Sequence, residues 1–361
     1  MMKRAGVFVV GVLLMSTGYA QTQTSYLPLT IPTRDQKFLA ADLYALDTTK
    51  ALPVILIQTP YNKNFYRSRV GQPLTGGSSL PYDSLHYNYV VLDWRGRFGS
   101  KDADVPGYDR GLDGYDAVEW IARQKWSNGK VGTWGGSALG QIQYQTARHH
   151  PPHLVCAAPM IKDFKTKYSD YFYGGVFRKE HVESLAKLGF LSVSTILDHP
   201  TNNLVWRIVE NNSNYPDEIA VPMLLISGWY DHFPDDVIRA FYDLRTKSAL
   251  AVRQQHKLIM GPWLHTEVGK AEQGQLTYPN AVGVADSAAL RFFDFYLRGI
   301  QNGYERDPII RYYQMGINDW RATGDWFALS STSASFYLQP GGLLAATKPA
   351  GNAPPDSFRF F

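Results

Sequence analysis

Cysteine is all but missing from this chain. Cys156 is the only one in 361 residues, so no internal disulfide can staple the fold. Within Leu154-Val155-Cys156-Ala157-Ala158 it reads as a small buried hydrophobe rather than a nucleophile. Charge is sparse as well. Charged residues make up 19%, the formal net charge is +4, and no stretch gathers Lys and Arg into a block with interleaved aromatics, which argues against nucleic acid as a partner. Long hydrophobic runs are absent after the first twenty residues, so no later segment is expected to cross a membrane. A metal site is disfavoured too: His149, His150 and His153 cluster, but Pro151 and Pro152 break the ligand spacing, and no cofactor is implied.

What the chain does have is apolar mass. At 45% hydrophobic over 361 residues it can bury a large core, as two domains or as one large domain with an appendage. Residues 1–20 combine a basic start (Lys3, Arg4), an apolar stretch from Ala5 to Met15, and small residues Gly18 and Ala20 ahead of Gln21. That is the layout of a cleavable secretory signal, since an uncleaved anchor needs a longer apolar span. Export to the periplasm or the extracellular space is therefore expected.

Past the signal, short apolar runs alternate with helical periodicity. Tyr26 to Ile31 and Phe38 to Tyr44 read as two antiparallel strands. Pro53 to Gln58, Tyr89 to Asp93, Val131 to Trp134, Leu154 to Met160, Met223 to Ser227 and Leu258 to Met260 read as buried strands, with helical spacing from Asp109 to Gln124 and from Ala138 to Ala147. Such alternation predicts a mostly parallel sheet covered on both faces. Between Asp163 and Ala220 the alternation gives way to aromatic, helix-friendly sequence, read as a helical cap. Beyond Gly299, Ile309 to Tyr313, Trp326 to Leu329 and Ser335 to Leu338 read as short strands of a β-sandwich.

The chemistry centres on Thr133-Trp134-Gly135-Gly136-Ser137-Ala138-Leu139-Gly140. A strand that collapses into glycines, exposes one serine and re-emerges as a helix is the layout of a nucleophile elbow. The usual pattern has glycine two residues after the serine; here Leu139 stands there and Gly140 comes one later, so these residues alone fit a glycine-rich loop equally well. A serine nucleophile needs a base and an acid to orient it, and an open parallel sheet puts both just after later strands. Asp231 follows Met223 to Tyr230, and His265 follows Leu258 to Leu264. The chain order is serine, aspartate, histidine. His232, next to Asp231, competes as the base, but sequence neighbours after a strand point apart, which favours His265.

With these residues in view, the chain resembles the cocaine-esterase and Xaa-Pro dipeptidyl-peptidase-like hydrolases, a group that includes α-amino-acid ester hydrolases and glutaryl acylases. The resemblance is carried by Thr33-Arg34-Asp35, Thr59-Pro60-Tyr61-Asn62-Lys63, Asp93-Trp94-Arg95-Gly96-Arg97-Phe98-Gly99-Ser100, Gly114-Tyr115-Asp116-Ala117-Val118-Glu119-Trp120, Trp126-Ser127-Asn128-Gly129-Lys130-Val131-Gly132, the elbow with its late glycine, Gly228-Trp229-Tyr230-Asp231 and Gly261-Pro262-Trp263-Leu264-His265. It implies Ser137 as nucleophile, His265 as general base and Asp231 as its orienting acid, with the Tyr61 hydroxyl and the Ala138 amide as the oxyanion hole. The pattern is departed from twice near the serine. Ala138 stands where the family usually has tyrosine, and Gly140 stands where amino-ester hydrolases carry an acidic residue for the substrate ammonium.

The resemblance thus implies an α/β-hydrolase core over residues 21–162 and 221–299, a helical cap over 163–220, and a jelly-roll β-domain over 300–361. That last domain is expected to be incomplete, because the chain stops at Ser357-Phe358-Arg359-Phe360-Phe361 in what reads as mid-strand. The expected activity is that of an exported serine hydrolase acting on a small-molecule ester or activated amide. The alternatives are an acylase activity, a dipeptidyl-peptidase activity, for which Asp163, Asp170, Glu180 or Glu183 would supply an anionic pocket for the free amino terminus, and an inactive binding protein on the same scaffold.

Overall fold

The computed structural model describes residues 25–68, 82–329 and 333–352. The signal-like segment 1–20, the glycine-rich passage at 76–79 and the terminal 357–361 lie outside the described residues. Strand β1 (Leu27–Pro32) turns into β2 (Phe38–Tyr44), and the two pair antiparallel. Then come β3 (Leu52–Thr59), β4 (Asn88–Asp93), α1 (Arg110–Ala122), β5 (Ser127–Gly136), α2 (Ala138–Ala147) and β6 (Leu154–Met160). Short elements follow: α3 (Tyr168–Tyr171), a hairpin of β7 (Phe172–Tyr173) and β8 (Val176–Phe177), α4 (Lys179–Lys187), α5 (Val193–Leu197) and α6 (Leu204–Asn212). The chain then returns through β9 (Leu224–Tyr230), α7 (Pro234–Lys247), β10 (Lys257–Leu264), the small hairpin β11 (Glu272–Gln273) and β12 (Leu276–Thr277), α8 (Val284–Arg298), β13 (Ile310–Gln314) and β14 (Asp319–Thr323). A last hairpin pairs β15 (Tyr337–Gln339) with β16 (Leu343–Ala345).

Ten of these strands make one sheet in the order β1-β2-β4-β3-β5-β6-β9-β10-β13-β14. The run from β4 to β13 is parallel, and the edges on both sides are antiparallel. Apolar side chains fill both faces, which is why the central strands read as continuous runs. Val54, Leu56, Val90 and Leu92 join one core cluster with Ala117, Val118 and Ile121 of α1, Tyr144 of α2 and Phe241 of α7. Their neighbours Ile55, Ile57, Tyr89 and Val91 face the other way, onto Ala289, Phe292, Phe293 and Leu297 of α8. Between β6 and β9, residues Phe172, Val182, Ile196 and Trp206 form a separate small core, ringed by Tyr168 and Tyr171.

The β-sandwich expected after Gly299 is not what the described residues form. Ile310 pairs with Leu258, so β13 extends the main sheet parallel to β10, and β14 folds back on it from Asp319. Phe327–Leu329 is a single 3₁₀ turn, and among the described residues Tyr337–Gln339 pairs only within its own hairpin. The cause is the crossover through α8, which returns the chain to the open edge of β10, where Ile310 and Tyr313 become buried. A period-two pattern records that one face is covered but not which sheet covers it.

The loop after β4 is fixed by a buried cation. Arg95 is 2% exposed and donates to both carboxylate oxygens of Asp113 on α1 (2.7 and 2.9 Å), to both of Asp35 in the β1–β2 turn (2.8 and 2.9 Å) and to the Ala103 carbonyl (2.8 Å). These fork-to-carboxylate bonds tie three separate segments together. They hold the Asp35 carboxyl at about 2, first through the hydrogen bonds from Arg95. Removing the guanidinium by Arg95→Ala strands the buried Asp113 carboxylate, an effect of about 3–5 kcal/mol. A thermal melt should show a drop of several degrees or more, and an unchanged melting temperature would show that the staple contributes nothing.

Candidate active site

Because the central strands are parallel, the residues that follow β3, β5, β9 and β10 gather at one end of the sheet. The turn from β5 into α2 is the tightest of these. Gly135 has φ 146°, and a Cβ there would lie 2.5 Å from the Leu139 Cβ. Ser137 itself sits at φ 57°, ψ −122°, a backbone conformation that non-glycine residues seldom adopt. The strain is offset by a dense set of bonds. The Ser137 amide donates to the Met160 carbonyl (3.0 Å), the Ser137 carbonyl accepts from the Gly140 and Gln141 amides (2.9 Å each), and the buried Gln143 amide donates to the Gly135 and Leu139 carbonyls (3.0 and 2.9 Å). The late glycine has a steric cause: a Cβ at Gly140 would stand 2.6 Å from the Met160 carbonyl oxygen. Position 140 therefore faces the end of β6, and a carboxylate placed there would collide with the sheet.

Strands β9 and β10 are neighbours, with Tyr230 in register with Leu264, so the next residues of each meet. His265 Nδ1 lies 2.5 Å from Asp231 Oδ1. The Asp231 side chain is fully buried, and its Oδ1 also accepts from the His232 backbone amide (2.6 Å) while Oδ2 accepts from the Ser227 hydroxyl (3.5 Å). Asp231 thus takes the ring of His265 but only the main chain of His232. The His232 ring packs beside His265 at 5.4 Å and the Phe233 ring at 5.9 Å, the three rings forming one cluster.

Tyr61 follows β3, its amide held by the Thr59 hydroxyl (3.0 Å), and its own hydroxyl lies close enough to Ser137 for the two to interact. Burial pushes the phenol pKa up, opposed by Ser137 and the nearby Arg97 charge. Two residues on, Lys63 anchors this loop: its amide donates to Asp93 (2.7 Å) and its ammonium to Asp42 (2.7 Å), which Arg67 also grips (2.8 Å). Ala138 opens α2, so its amide has no intrahelical acceptor and is free to donate outward.

Two residues that the sequence did not single out complete the site. Arg97 donates to the carbonyls of Leu188 and Gly189 (2.8 and 2.6 Å), holding down the segment that carries Phe190. The Phe190 ring meets Tyr61 edge-on at 6.0 Å and Trp94 at 6.2 Å. The available signal was weak, an arginine in a turn-rich loop after a strand. Elsewhere, Asp170 is buried between Lys162 (3.9 Å) and Lys167 (3.4 Å), and Asp163 is paired with Lys162 (2.5 Å). Glu180 and Glu183 lie on α4, where Glu183 is 3.9 Å from Lys179. His149 is bonded to Asp109 (2.9 Å) and His153 to Glu119 (2.8 Å), both ties to α1 and its N-terminus. Cys156 is fully buried, and burial pushes its thiol well up.

Comparison with known proteins identifies the family and the fold. A family model described as X-Pro dipeptidyl-peptidase (S15 family) matches residues 35–194 and 185–267. Cocaine esterase from Rhodococcus sp. (strain MB1 Bresler) is 27% identical, over 89% of this chain and 63% of that protein. The chain thus spans less than two thirds of the length of that curated relative. In fold it is similar to an aminopeptidase from a marine sediment Thaumarchaeota archaeon (TM-score 0.74, 20% identity, 95% of this chain and 66% of the other). It is similar also to an α-amino acid ester hydrolase (TM-score 0.72, 20% identity, 96% and 67%).

The contact at position 140 is open to test. Gly140→Ala forces α2 away from β6, an overpacking effect of about 1–3 kcal/mol. A lowered melting temperature is expected, and a variant as stable as the parent would mean that the helix is not seated on Met160 as described.

Proposed function

The chain belongs to the X-Pro dipeptidyl-peptidase (S15) family, cocaine-esterase-like serine hydrolases of the α/β-hydrolase superfamily, and on that premise we propose that it cleaves a carboxylic ester or activated amide through an acyl-enzyme on Ser137. The observation that carries the assignment is the buried Asp231 carboxylate on His265 Nδ1, which leaves Nε2 as the proton acceptor. In the proposed reaction the Ser137 oxygen attacks the substrate carbonyl carbon while His265 takes the hydroxyl proton. The oxyanion is met by the Tyr61 hydroxyl and the Ala138 amide. Collapse expels the leaving group, which takes the proton back from His265, and a water activated by the same imidazole then hydrolyses the acyl-serine. Asp231 keeps its charge throughout and steadies the imidazolium.

A dipeptidyl-peptidase reading requires an anionic pocket for a free amino terminus. Asp163 and Asp170 are each engaged by lysine and Glu183 stands by Lys179 on α4, so three of the four candidates are compensated, and the fourth, Glu180, is exposed in the first turn of α4. The ester or simple acyl substrate is favoured for that reason. Export remains part of the proposal, resting on residues 1–20; no helix among the described residues is long and apolar enough to cross a membrane.

A fluorophosphonate probe should label the protein once, on Ser137, and labelling that persists in Ser137→Ala would sink the assignment. Turnover of a 4-nitrophenyl ester should fall by several orders of magnitude in Ser137→Ala and His265→Ala. Tyr61→Phe removes one oxyanion donor and should lower kcat about 10²- to 10³-fold. Phe190→Ala should also lower kcat, through the looser Tyr61 ring, and in the Tyr61→Phe background it should add little. Full additivity of the two would show that Phe190 acts independently of the tyrosine.

A further inference from the structure

Helix α8 packs on one face of a sheet ten strands wide, and a helix about 10 Å across leaves the strands beside it open. Ala285, Ala289, Phe292 and Phe293 seat it on the sheet. Val284, Ala288 and Arg291, one turn apart along its flank, line a cavity of about 720 Å³ over β10, β13 and β14 instead. The floor of the cavity is a row in register: Ile259 of β10, Arg311 of β13 and Ala322 of β14. Trp320, two residues before Ala322 and so on the same side of β14, lines it as well. None of Tyr61, Ser137, Asp231 and His265 does. The cavity takes in Lys257 and Ile259 at the start of β10, whereas His265 follows the end of that strand.

An arginine is out of place in that row. Arg311 is half-buried between apolar neighbours, and among the described residues its guanidinium has no hydrogen-bond or ion-pair partner; it rests on the Trp320 ring, 4.6 Å from the centroid. The lining sets Lys257, Arg291, Arg311 and Arg321 against the single carboxylate of Asp307. That carboxylate is already spent. Arg291 takes both of its oxygens (2.6 and 3.1 Å), and it acts on Arg311 only at a distance. Lys257 is nearly buried and donates to the carbonyls of Tyr304 and Asp307 (2.6 and 2.5 Å), which occupy its hydrogens without cancelling its charge. Burial, the first cause in both, holds the Arg311 and Lys257 cations below their usual ranges. Charges drawn into a protein are normally paired, and here the room for an anion is present. An arginine fork matches a carboxylate or a phosphate, and walls of Ile259, Val284, Ala288 and the Trp320 ring suit an apolar body.

We propose that this cavity is a second ligand site, separate from the proposed catalytic one, and that it takes a small organic anion: an acidic group on Arg311, beside the charge of Lys257, carried by an apolar or aromatic body laid against Trp320 and the flank of α8. The test titrates the full chain by calorimetry with 4-phenylbutyrate, its neutral counterpart 4-phenylbutyramide, and inorganic phosphate. The acid should bind about tenfold or more tightly than the amide, the worth of one charge-assisted hydrogen bond, and more tightly than phosphate, which has no apolar body. Arg311→Gln should bring the acid down to the level of the amide, and Arg311→Lys should keep part of the difference. Ser287→Phe, which fills the cavity from an exposed position on α8, should weaken both organic probes. Melting curves without ligand accompany each variant, and if Arg311→Gln melts early, Ser287→Phe decides in its place. Failure of the parent to bind the acid, equal binding of acid and amide, or a preference for the acid that survives Arg311→Gln overturns the proposal, the last by placing the anion elsewhere, in the catalytic pocket for instance. Phosphate bound as tightly as the acid overturns the apolar half of it. The readout does not involve Ser137, so the proposal stands or falls apart from the hydrolase reading.

Discussion

Helix α2 reaches the end of β6 so closely that the Met160 carbonyl leaves no room for a side chain at position 140, and the geometry of the whole active end hangs on that contact. If α2 stood further off, the Ser137 amide could not bond Met160, and the serine would lose a main restraint that holds it at φ 57°. A positive φ on a serine is a conformation that relaxes unless its surroundings over-determine it. Here Gln143 adds a second restraint from inside, bridging the carbonyls on both sides of the turn while its own carbonyl oxygen accepts from Thr133 (2.9 Å). The reward of the strain is directional. The hydroxyl stands clear of its own backbone, and the first amides of α2 are left without intrahelical acceptors.

The second constraint is electrostatic and acts on the loops instead of the elbow. Asp42 is fully buried on β2, between Lys63 and Arg67, and Lys63 is itself nearly buried. A buried ion pair adds little net stability against an apolar replacement, yet breaking one is strongly unfavourable. Such a group therefore fixes geometry more than it adds free energy. Lys63 lies two residues after Tyr61, so the clamp on Asp42 and Asp93 sets where the phenol stands. Arg95 plays the same part for the loop after β4, and through it for Trp94 and Arg97. The lysine of Thr-Pro-Tyr-Asn-Lys and the first arginine of Asp-Trp-Arg-Gly-Arg are thus framework residues that position neighbours, although a motif reading gives them no role.

How much of this could be read from the sequence depended on how local the cause was. Strands β3, β4 and β6 were legible because a strand buried on both faces is a continuous apolar run, and α2 because its start is marked by the elbow glycines. The places of Ser137, Asp231 and His265 at one end of the sheet were legible because each follows a strand. The hairpin of β7 and β8 was not, since two-residue strands around Gly174 and Gly175 carry no period. Residues 310–323 were assigned to the wrong sheet because alternation does not name a partner. Arg97 and Phe190 were overlooked for a third reason. Their significance lies in contacts spanning some ninety residues or more, which leave no trace in local spacing.

Arg97 also links the segment between β6 and β9 to the electrostatics of the proposed oxyanion hole. A phenol that donates to an oxyanion must stay protonated and yet be a strong donor. Burial of Tyr61 secures the first by disfavouring the phenolate, and the guanidinium of Arg97 supplies the second by drawing the phenol toward ionisation, so the two influences oppose each other in pKa but cooperate in donation. The same guanidinium is committed to the Leu188 and Gly189 carbonyls, so it can act on Tyr61 only while that segment is seated. Seating also brings the apolar Phe190 ring against the phenol, and an apolar neighbour raises the local worth of every charge nearby. A movement of residues 188–190 would therefore change the oxyanion donor twice, by freeing its ring and by shifting the cation beside it. On the proposed mechanism, the segment that covers the site is for this reason part of the catalytic apparatus as well as its wall.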